Sequence, residues 1–196
     1  MLPNGKLPYL EWALTLPTAS RARINSVIDR VALGGGRKNI KPVGEGVFEI
    51  KVNAGPGLRI YFAPSGKNDL LILLGGDKSS QKSDIRRAQK YWRGLMYRNK
   101  DFDEYVSQEM RDPLYRREYL ISMISGDDGV EPLPLFDALK IAIGRMGVTE
   151  FAELVRMERS SVSRILSQST IPKVETLDRF LKPFGLRVKL DVIEVA

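Results

Sequence analysis

Residues 45–81 read EGVFEIKVNAGPGLRIYFAPSGKNDLLILLGGDKSSQ, and their periodicity decides the fold of the first half of the chain. Apolar side chains alternate with polar ones on both sides of a Gly/Pro break at residues 54–57, which predicts an antiparallel hairpin. Side chains two residues apart share one face of a sheet, so one face is expected to be buried and the other to carry Glu49, Lys51, Arg59 and Tyr61. The predicted buried face comprises Phe48, Ile50, Val52, Leu58, Ile60 and Phe62.

A third strand is predicted at residues 70–74, which are apolar at every position. Such a run is typical of a strand covered on both faces. It ends in the polar loop 75–81, and loops at strand ends often carry binding or catalytic residues. Two helices before the hairpin and a basic helix after Ser79 or Ser80 complete this half. We expect the helices to cover the apolar face of the hairpin, which leaves Lys51, Arg59 and Tyr61 open, with Lys78 at the rim.

The chain contains no cysteine and no histidine. Disulfides, thiol catalysis, histidine acid–base catalysis and zinc sites that need Cys or His are therefore excluded, and no cofactor or metal is expected. The lack of cysteine fits a reducing cytoplasm. The sequence has no apolar run long enough to span a membrane and no signal-peptide pattern at its N-terminus, so a cytoplasmic protein is expected.

Charge is distributed unevenly along the chain. Residues 1–100 hold 18 Lys and Arg against 7 Asp and Glu, a net charge of +11, whereas residues 101–196 hold 13 against 17, a net charge of −4. This asymmetry favours two domains with different partners, or one domain that masks the other. An ordinary solvated surface is the alternative.

The polar face of the predicted hairpin has a chemistry suited to RNA. Cations above a sheet attract phosphate, and a tyrosine can stack on a base. Cleavage of RNA by its own 2′-hydroxyl needs a base, an acid and a group that stabilises charge at the phosphorane. Lysine, tyrosine and arginine can take these roles when crowded positive charge shifts their pKa values. The alternative is a solvated sheet face without catalysis.

Four stretches carry a family resemblance: GKLPYLEW (5–12), RARINSVIDRVALG (21–34), VGEGVFEIKVNAGPGLRIYF (43–62) and LLGGDKSSQKSDIRRAQKYW (73–92). Together they resemble the HigB-like branch of the RelE/ParE toxin superfamily over about residues 4–95. The resemblance implies a RelE-type fold and ribosome-dependent mRNA cleavage, although some members of the superfamily poison gyrase.

On the family pattern, Arg59 is the candidate for phosphate and transition-state stabilisation, followed by Lys78, with Lys51 and Tyr61 as helpers. Such toxins usually begin with a strand before the segment that matches residues 5–12, and only Met1, Leu2 and Pro3 precede Asn4 here. A sheet that lacks this edge strand is one expectation, and a misplaced start codon is the other.

The change in charge between residues 96 and 103 predicts a junction. Residues 101–131 hold nine acidic residues against three arginines. The acidic residues are Asp101, Asp103, Glu104, Glu109, Asp112, Glu118, Asp127, Asp128 and Glu131. We interpret this segment as a mask for the basic face of the first half, because acidic partners suit a basic site. An amphipathic helical subdomain without that role is the alternative.

Residues 135–183 are predicted to form four short helices, of which the middle two have a helix-turn-helix pattern. Serines at the start of the second helix can bond phosphates or base edges, and arginine can reach guanine. A plain helical hairpin is the alternative. The segment MGVTEFAELVRMERSSVSRILSQSTIPKVETLDRFLKPFGLRV resembles the lambda-repressor-like domain of HigA-type antidotes, and the resemblance covers about residues 103–190.

That second resemblance implies binding to an operator, usually as a dimer. Arg159, Ser160, Ser161, Ser163 and Arg164 map onto the recognition helix, and Lys173 is a candidate phosphate contact. The acidic charge of this half departs from strong DNA binders. The alternating tail at residues 186–193 predicts a strand, which pairs either with its copy in a second chain or with the edge of the first-half sheet.

The sequence thus predicts an α+β protein with three parts: a RelE-like toxin domain (1–97), an acidic, toxin-masking helical segment (98–134) and an all-α helix-turn-helix domain with a terminal strand (135–196). The predicted function is a toxin–antitoxin fusion, an endoribonuclease-type toxin held inactive by an operator-binding antidote. Its predicted partners are the ribosome with mRNA, operator DNA, the intramolecular toxin–antitoxin contact and a second copy in a homodimer, with no membrane. The alternatives are a DNA-binding regulator with a degenerate toxin domain, and a structural module in which neither site works.

Overall fold

The protein is described by a computed structural model that covers residues 8–53, 57–65, 69–94, 100–126 and 129–189, without the side chains of Arg37, Lys100 and Asp101. Its first half contains α1 (Pro8–Ala13), α2 (Thr18–Ala32), β1 (Ile40–Gly44), β2 (Val47–Val52), β3 (Leu58–Pro64), β4 (Leu70–Gly76) and α3 (Gln81–Gly94). Its second half contains α4 (Lys100–Glu109), α5 (Pro113–Ser125), α6 (Leu135–Met146), α7 (Val148–Leu154), α8 (Arg159–Leu166) and α9 (Val174–Leu181). The α+β class is confirmed.

The four strands form one antiparallel sheet in the order β1-β2-β3-β4. The predicted hairpin is β2–β3, with Phe48 opposite Phe62, Ile50 opposite Ile60 and Val52 opposite Leu58. These side chains are buried except Phe48, which is half-buried. The alternating pattern therefore predicted both the hairpin and its buried face.

Strand β1 was not among the strands predicted from the sequence. It is an edge strand with only partly buried or exposed residues, so it lacks a strong apolar signal. Glu45 (φ 54°) and Gly46 (φ 77°) link it to β2. Two consecutive residues with positive φ are typical of a type I′ hairpin turn. This turn fixes the register between β1 and β2, because an edge strand with few buried side chains is held in register only weakly by packing.

Helix α3 covers part of the sheet face that was expected to be open, so that expectation was wrong for Arg59 and Tyr61. Ala88, Ile85 and Trp92 of α3 pack in an apolar cluster with Tyr61 and Leu73. The physical reason lies in β4, whose continuous apolar run needs cover on both faces. On this face Arg59 is 7% exposed and Tyr61 is fully buried, whereas Lys51 remains exposed.

Helix α2 joins the two halves of the chain. Its residues from Ile24 to Val31 are all buried, including the polar Asn25, Ser26, Asp29 and Arg30. Helix α5 packs along it, and one apolar cluster runs from α1, α2 and the Ile50 face of the sheet into α4–α9. One apolar core therefore contains residues from all three predicted domains. The domain boundaries themselves stay a prediction.

Several sequence predictions fall on parts of the chain outside the described residues. These are the question of a first strand (1–7), the centre of the hairpin turn (54–56), most of the junction (95–99) and the end of the tail (190–196). Of the tail, residues 186–189 are described and have no strand structure. No helix in the described part of the chain is both long and apolar enough to cross a membrane.

Candidate nucleic-acid interface

Three of the predicted site residues lie at one end of the sheet. In the strand register, Lys51 of β2 lies opposite Arg59 of β3, and Arg59 lies opposite Gly76 of β4. Lys78 follows Gly76 by two residues and is exposed, as is Lys51. We call Lys51, Arg59 and Lys78 the cation row. The strand register thus brings together cations that are 27 residues apart along the sequence.

The next row of the sheet holds a buried carboxylate, Glu49, which is 4% exposed. The Tyr61 hydroxyl donates to Glu49 Oε2 over 3.0 Å. Gln81 Nε2, at the start of α3, donates to Glu49 Oε2 over 2.8 Å and to Oε1 over 3.1 Å. The Nε atom of Arg59 lies 3.5 Å from Oε1, so the carboxylate also forms an ion pair with the cation row.

Arg59 is held against the interior of the protein. Its Nη1 donates to the Gly57 carbonyl over 2.6 Å, while its Nε is buried without a hydrogen-bond partner among the described residues. A buried N–H without a partner is unusual and carries a free-energy cost of about 1–3 kcal/mol. The guanidinium is therefore attracted by Glu49 but incompletely bonded.

Tyr61 does not present its phenol to solvent, in contrast to the expected open face. Its side chain is fully buried, and its hydroxyl proton is donated to Glu49. Burial, followed by the negative charge of Glu49, raises the pKa of this phenol well above its usual value. Tyr61 consequently reaches the cation row through Glu49 and has no exposed ring for stacking on a base.

The loop that presents Lys78 is fixed by its own hydrogen bonds. Asp77 Oδ1 accepts from the Ser79 backbone N over 2.7 Å, from Ser79 Oγ over 2.5 Å and from the Ser80 N over 3.3 Å. These bonds, first those from Ser79, lower the pKa of Asp77. An aspartate that accepts from the backbone two residues on is an Asx turn, so the sequence GGDKSS already carried this signal.

The outer face of α3 extends the positive charge away from the cation row. Lys82, Arg86 and Lys90 recur every four residues, which places them on one side of the helix, and all three are exposed. They have no ion-pair partner among the described residues. Two neighbouring arginines do have one, because Arg87 pairs with Asp84 over 3.2 Å and Arg93 with Glu45 over 3.2 Å.

The second group of predicted site residues lies on α8 and just before α9. Arg159, Ser160, Arg164 and Lys173 are exposed, Ser161 and Ser163 are half-buried, and Val162 is buried against the core. Helix α8 follows α7 after a short turn at residues 155–158, and the two helices pack together. The predicted pair of short helices is present; its use in DNA binding stays a prediction.

Sequence reasoning missed the residue that fixes this turn. Arg179 of α9 donates from Nε to the Val155 carbonyl over 2.8 Å and from Nη2 to the Arg156 carbonyl over 2.6 Å. Arg156 has φ 51°, an unfavourable backbone conformation for a non-glycine residue. The two bonds hold the strained turn in place and so orient α8 relative to α7.

A polar network lines the contact between α2 and the second half. Tyr9 donates to Asn25 Oδ1 over 2.5 Å, and Asn25 donates to the Tyr115 hydroxyl over 2.6 Å. Ser26 donates to Ser122 over 2.7 Å. These groups are buried and paired, so they require a specific register between α2 and α5.

A second part of this network is ionic. Asp29 of α2 accepts from Tyr119 and from Arg145, and Arg145 also pairs with Asp103. At the ends of α2, Arg21 pairs with Glu109 over 2.7 Å, and the Gly36 N–H donates to Glu131 over 2.8 Å. The predicted acidic segment thus contacts α2, while Lys51 and Lys78 remain exposed. Masking of the basic face stays a prediction.

Among the described residues, no group of three or more acidic side chains is arranged to hold a metal ion. The groups available for chemistry around the cation row are therefore cations, hydroxyl groups and carboxylates.

The fold and the cation row define a basic module built on a small antiparallel sheet, and comparisons with known proteins assign it to a family. The family described as phage derived protein Gp49-like (DUF891) matches residues 11–93. An uncharacterized protein of Haemophilus influenzae is 37% identical over 70 residues, which is 36% of this chain and 70% of that protein. No solved structure matches the chain. The chain belongs to the Gp49-like phage-derived protein family, which is related to RelE-type toxin proteins.

The family match confirms the predicted relationship of the first half to toxin-type proteins at this coarser level. The match ends at residue 93, close to the predicted end of the first domain. The HigB-like and HigA-like assignments, and with them the fusion, stay predictions.

Proposed function

We propose that residues 11–93 form an RNA-directed toxin module, a ribosome-dependent mRNA endoribonuclease, in which the cation row binds the scissile phosphate. The observation that carries the proposal is the alignment of Lys51, Arg59 and Lys78 at one sheet end of a Gp49-like module. Cations grouped at one end of a sheet suit a phosphate, because phosphate contacts dominate nucleic-acid affinity. The exposed outer face of α3 adds positive charge that steers a polyanion toward the site.

The reaction that suits this site is attack of the RNA 2′-hydroxyl on the adjacent phosphate, without a metal or cofactor. Arg59 neutralises the charge that develops on the phosphorane, as preorganised donors do in other phosphoryl transfers. In this proposal one of the two exposed amines, Lys51 or Lys78, takes the proton of the 2′-hydroxyl, and the other donates a proton to the 5′-oxygen that leaves as the 2′,3′-cyclic phosphate forms. Tyr61 acts only through Glu49, because its phenol is buried.

The second half acts as the antidote in this proposal. It contacts α2 through the buried polar network, and Gly129 lies so close to Asn53 that an added Cβ would stand 2.6 Å from Asn53 Nδ2. Asn53 directly follows β2, whose last residues include Lys51. The second half therefore borders the sheet end that carries the cation row, and its bulk keeps that end from docking on the ribosome.

The antidote half also binds operator DNA through α8, as a homodimer that represses its own promoter. Support comes from the exposed Arg159 and Arg164, the serine hydroxyls around them and the turn that Arg179 fixes. Among the described residues, no side chain caps the first turn of α8, which leaves the start of this helix open to a phosphate.

The RNA half of the proposal is tested with the purified full chain and a short oligouridylate at several salt concentrations. Replacing Lys51, Arg59 or Lys78 by Gln should weaken binding and reduce the salt slope by about 0.7 for each phosphate of a single strand that is no longer neutralised. Lys182→Gln is the control, since Lys182 is exposed and lies in the second half. Equal binding by all four variants and the unmodified chain would exclude the cation row as the RNA site.

A second candidate function is a DNA-binding regulator whose toxin module is inactive. It is favoured by the inward position of Arg59, which is almost fully buried and paired with Glu49. In this case Arg164→Gln should abolish the gel mobility shift of the chain's own promoter DNA, and Arg59→Gln should leave that shift unchanged. Retained retardation by Arg164→Gln would argue against α8 as the recognition helix.

A further inference from the structure

Glu49 is a buried carboxylate in the row of the sheet next to the cation row. It accepts three hydrogen bonds, one from Tyr61 and two from Gln81, on two different elements, β3 and α3. A carboxylate with this many donors keeps its place without further partners. Its position is therefore fixed by Tyr61 and Gln81, independently of Arg59.

Arg59 is bound to Glu49 by charge alone. Its Nε lies 3.5 Å from the carboxylate, which is within ion-pair distance, and this Nε makes no hydrogen bond with any described residue. Within the described part of the chain, the guanidinium makes one hydrogen bond, from Nη1 to the carbonyl of Gly57, two residues away along the chain. An arginine with an unbonded buried N–H beside a fully bonded carboxylate has donor capacity left for another anion.

We propose that Glu49 is a positioning residue that holds Arg59 inward in the RNA-free chain, and that an RNA phosphodiester takes the guanidinium over from Glu49. This inference rests on the proposed RNA function of the cation row. Two oxygens of a phosphodiester can accept two parallel N–H bonds from a guanidinium, whereas the carboxylate in its present place accepts none from the Nε of Arg59. Glu49 thus competes with RNA for Arg59 and lowers the affinity of the empty site.

The test is binding of a short oligouridylate by the full chain and its Glu49→Gln variant. The amide keeps the shape of the side chain and an acceptor for Tyr61, but it removes the charge that retains Arg59. Binding should become about tenfold tighter, the size expected when one hydrogen bond to a charged group is gained. Glu45→Gln is the matched control, because it removes the same charge from the exposed turn before β2, where Glu45 pairs with Arg93.

A double-mutant cycle with Arg59→Gln separates the proposal from a general charge effect. The gain from Glu49→Gln should vanish when Arg59 is absent. A gain that persists in the Arg59→Gln background, a gain of equal size in Glu45→Gln or no gain at all would overturn the inference. If the unmodified chain and Arg59→Gln bind the oligouridylate equally, the proposed RNA function falls and the inference falls with it.

A second measurement uses the unmodified chain and does not depend on the folding of any charge variant. The Nε–H signal of Arg59 in a ¹⁵N-correlated NMR spectrum, assigned by its loss in Arg59→Lys, should shift on titration with the oligouridylate. A signal that stays in place while RNA binds elsewhere on the chain would contradict the transfer of Arg59 from Glu49 to phosphate.

Discussion

At the residue scale, Gly75 shows how closely the sheet and its helices are fitted. A Cβ built on Gly75 would lie 1.9 Å from the Trp12 ring of α1, far inside van der Waals contact. We expect Gly75→Ala to lower the free energy of unfolding by about 1–3 kcal/mol, because Trp12 must move and repack. Urea unfolding followed by circular dichroism measures the change.

The control for this substitution is Gly144→Ala in α6, where nothing lies within 4 Å of the added Cβ. It should stabilise the chain by up to about 1 kcal/mol, since alanine favours helix over glycine. A Gly75→Ala chain as stable as the unmodified one would mean that Trp12 does not pack on β4 as described.

The residues of the candidate site were predictable only in part. Lys51, Arg59 and Lys78 stand out by charge and position, and the period-two pattern placed Lys51 and Arg59 on one face. The burial of Arg59 was not predictable from the alternation, because it depends on which face of the sheet α3 covers, whereas Lys51 and Lys78 remain exposed. Glu49 was recognised as polar, but its bonds to Tyr61 and Gln81 depend on the position of that helix.

At the element scale, the contact of α2 with α5 depends on buried polar groups. Tyr119 donates its hydroxyl proton to Asp29, which is 4% exposed. Removing the hydroxyl in Tyr119→Phe leaves a buried carboxylate with one donor fewer, and we expect a loss of about 1–3 kcal/mol in the free energy of unfolding.

Tyr105→Phe is the matched control on the neighbouring helix α4. The Tyr105 hydroxyl is buried without a hydrogen-bond partner among the described residues, so its removal should cost nothing or stabilise slightly. If both substitutions destabilise the chain equally in urea unfolding, the specific bond from Tyr119 to Asp29 does not stabilise the contact.

The elements themselves were predicted with uneven success, for physical reasons. The β2–β3 hairpin and β4 have strong periodic signals, whereas β1 is a partly exposed edge strand that depends on the turn at Glu45 and Gly46. The pair α7–α8 followed from apolar spacing. That α2 would be buried on all sides could not be read from its sequence, because Asn25, Ser26, Asp29 and Arg30 resemble a solvated face until α5 supplies their partners.

At the scale of the whole molecule, the two halves share one core, and tyrosine ionisation reports on it. Burial raises the pKa values of Tyr9, Tyr115 and Tyr119 well above their usual value. A phenol with a raised pKa in the folded chain contributes stability that is present below about pH 10 and is lost as the pH rises further, because the unfolded chain releases the proton first.

We therefore expect these three phenols, one from the first half and two from the second, to ionise together in one cooperative step when the chain unfolds in alkali. Phenolate absorbance and circular dichroism, recorded over the same pH series, measure this. In the chain unfolded by denaturant, all tyrosines should ionise at about pH 10. Ionisation of Tyr115 and Tyr119 in a step separate from Tyr9, observed with Tyr→Phe variants, would show that the halves unfold independently.

A shared core also determines how restraint of the toxin module must be tested. Residues 1–100 alone would expose the face of α2 that α5 covers, including four buried polar side chains, so that fragment is expected to aggregate. The full chain with a weakened contact is the better material. Arg145→Ala removes the arginine that forms ion pairs with both Asp29 and Asp103, and breaking a buried ion pair typically costs about 3–5 kcal/mol.

The most direct test of a toxin module restrained within the chain is growth, together with mapped mRNA cleavage, after induction in a bacterial host. The unmodified full chain, Arg145→Ala and the double variant Arg145→Ala/Arg59→Gln are compared at equal soluble levels. The account predicts arrest and cleavage with Arg145→Ala alone. Silence of a soluble Arg145→Ala chain, or arrest that persists without Arg59, would contradict it.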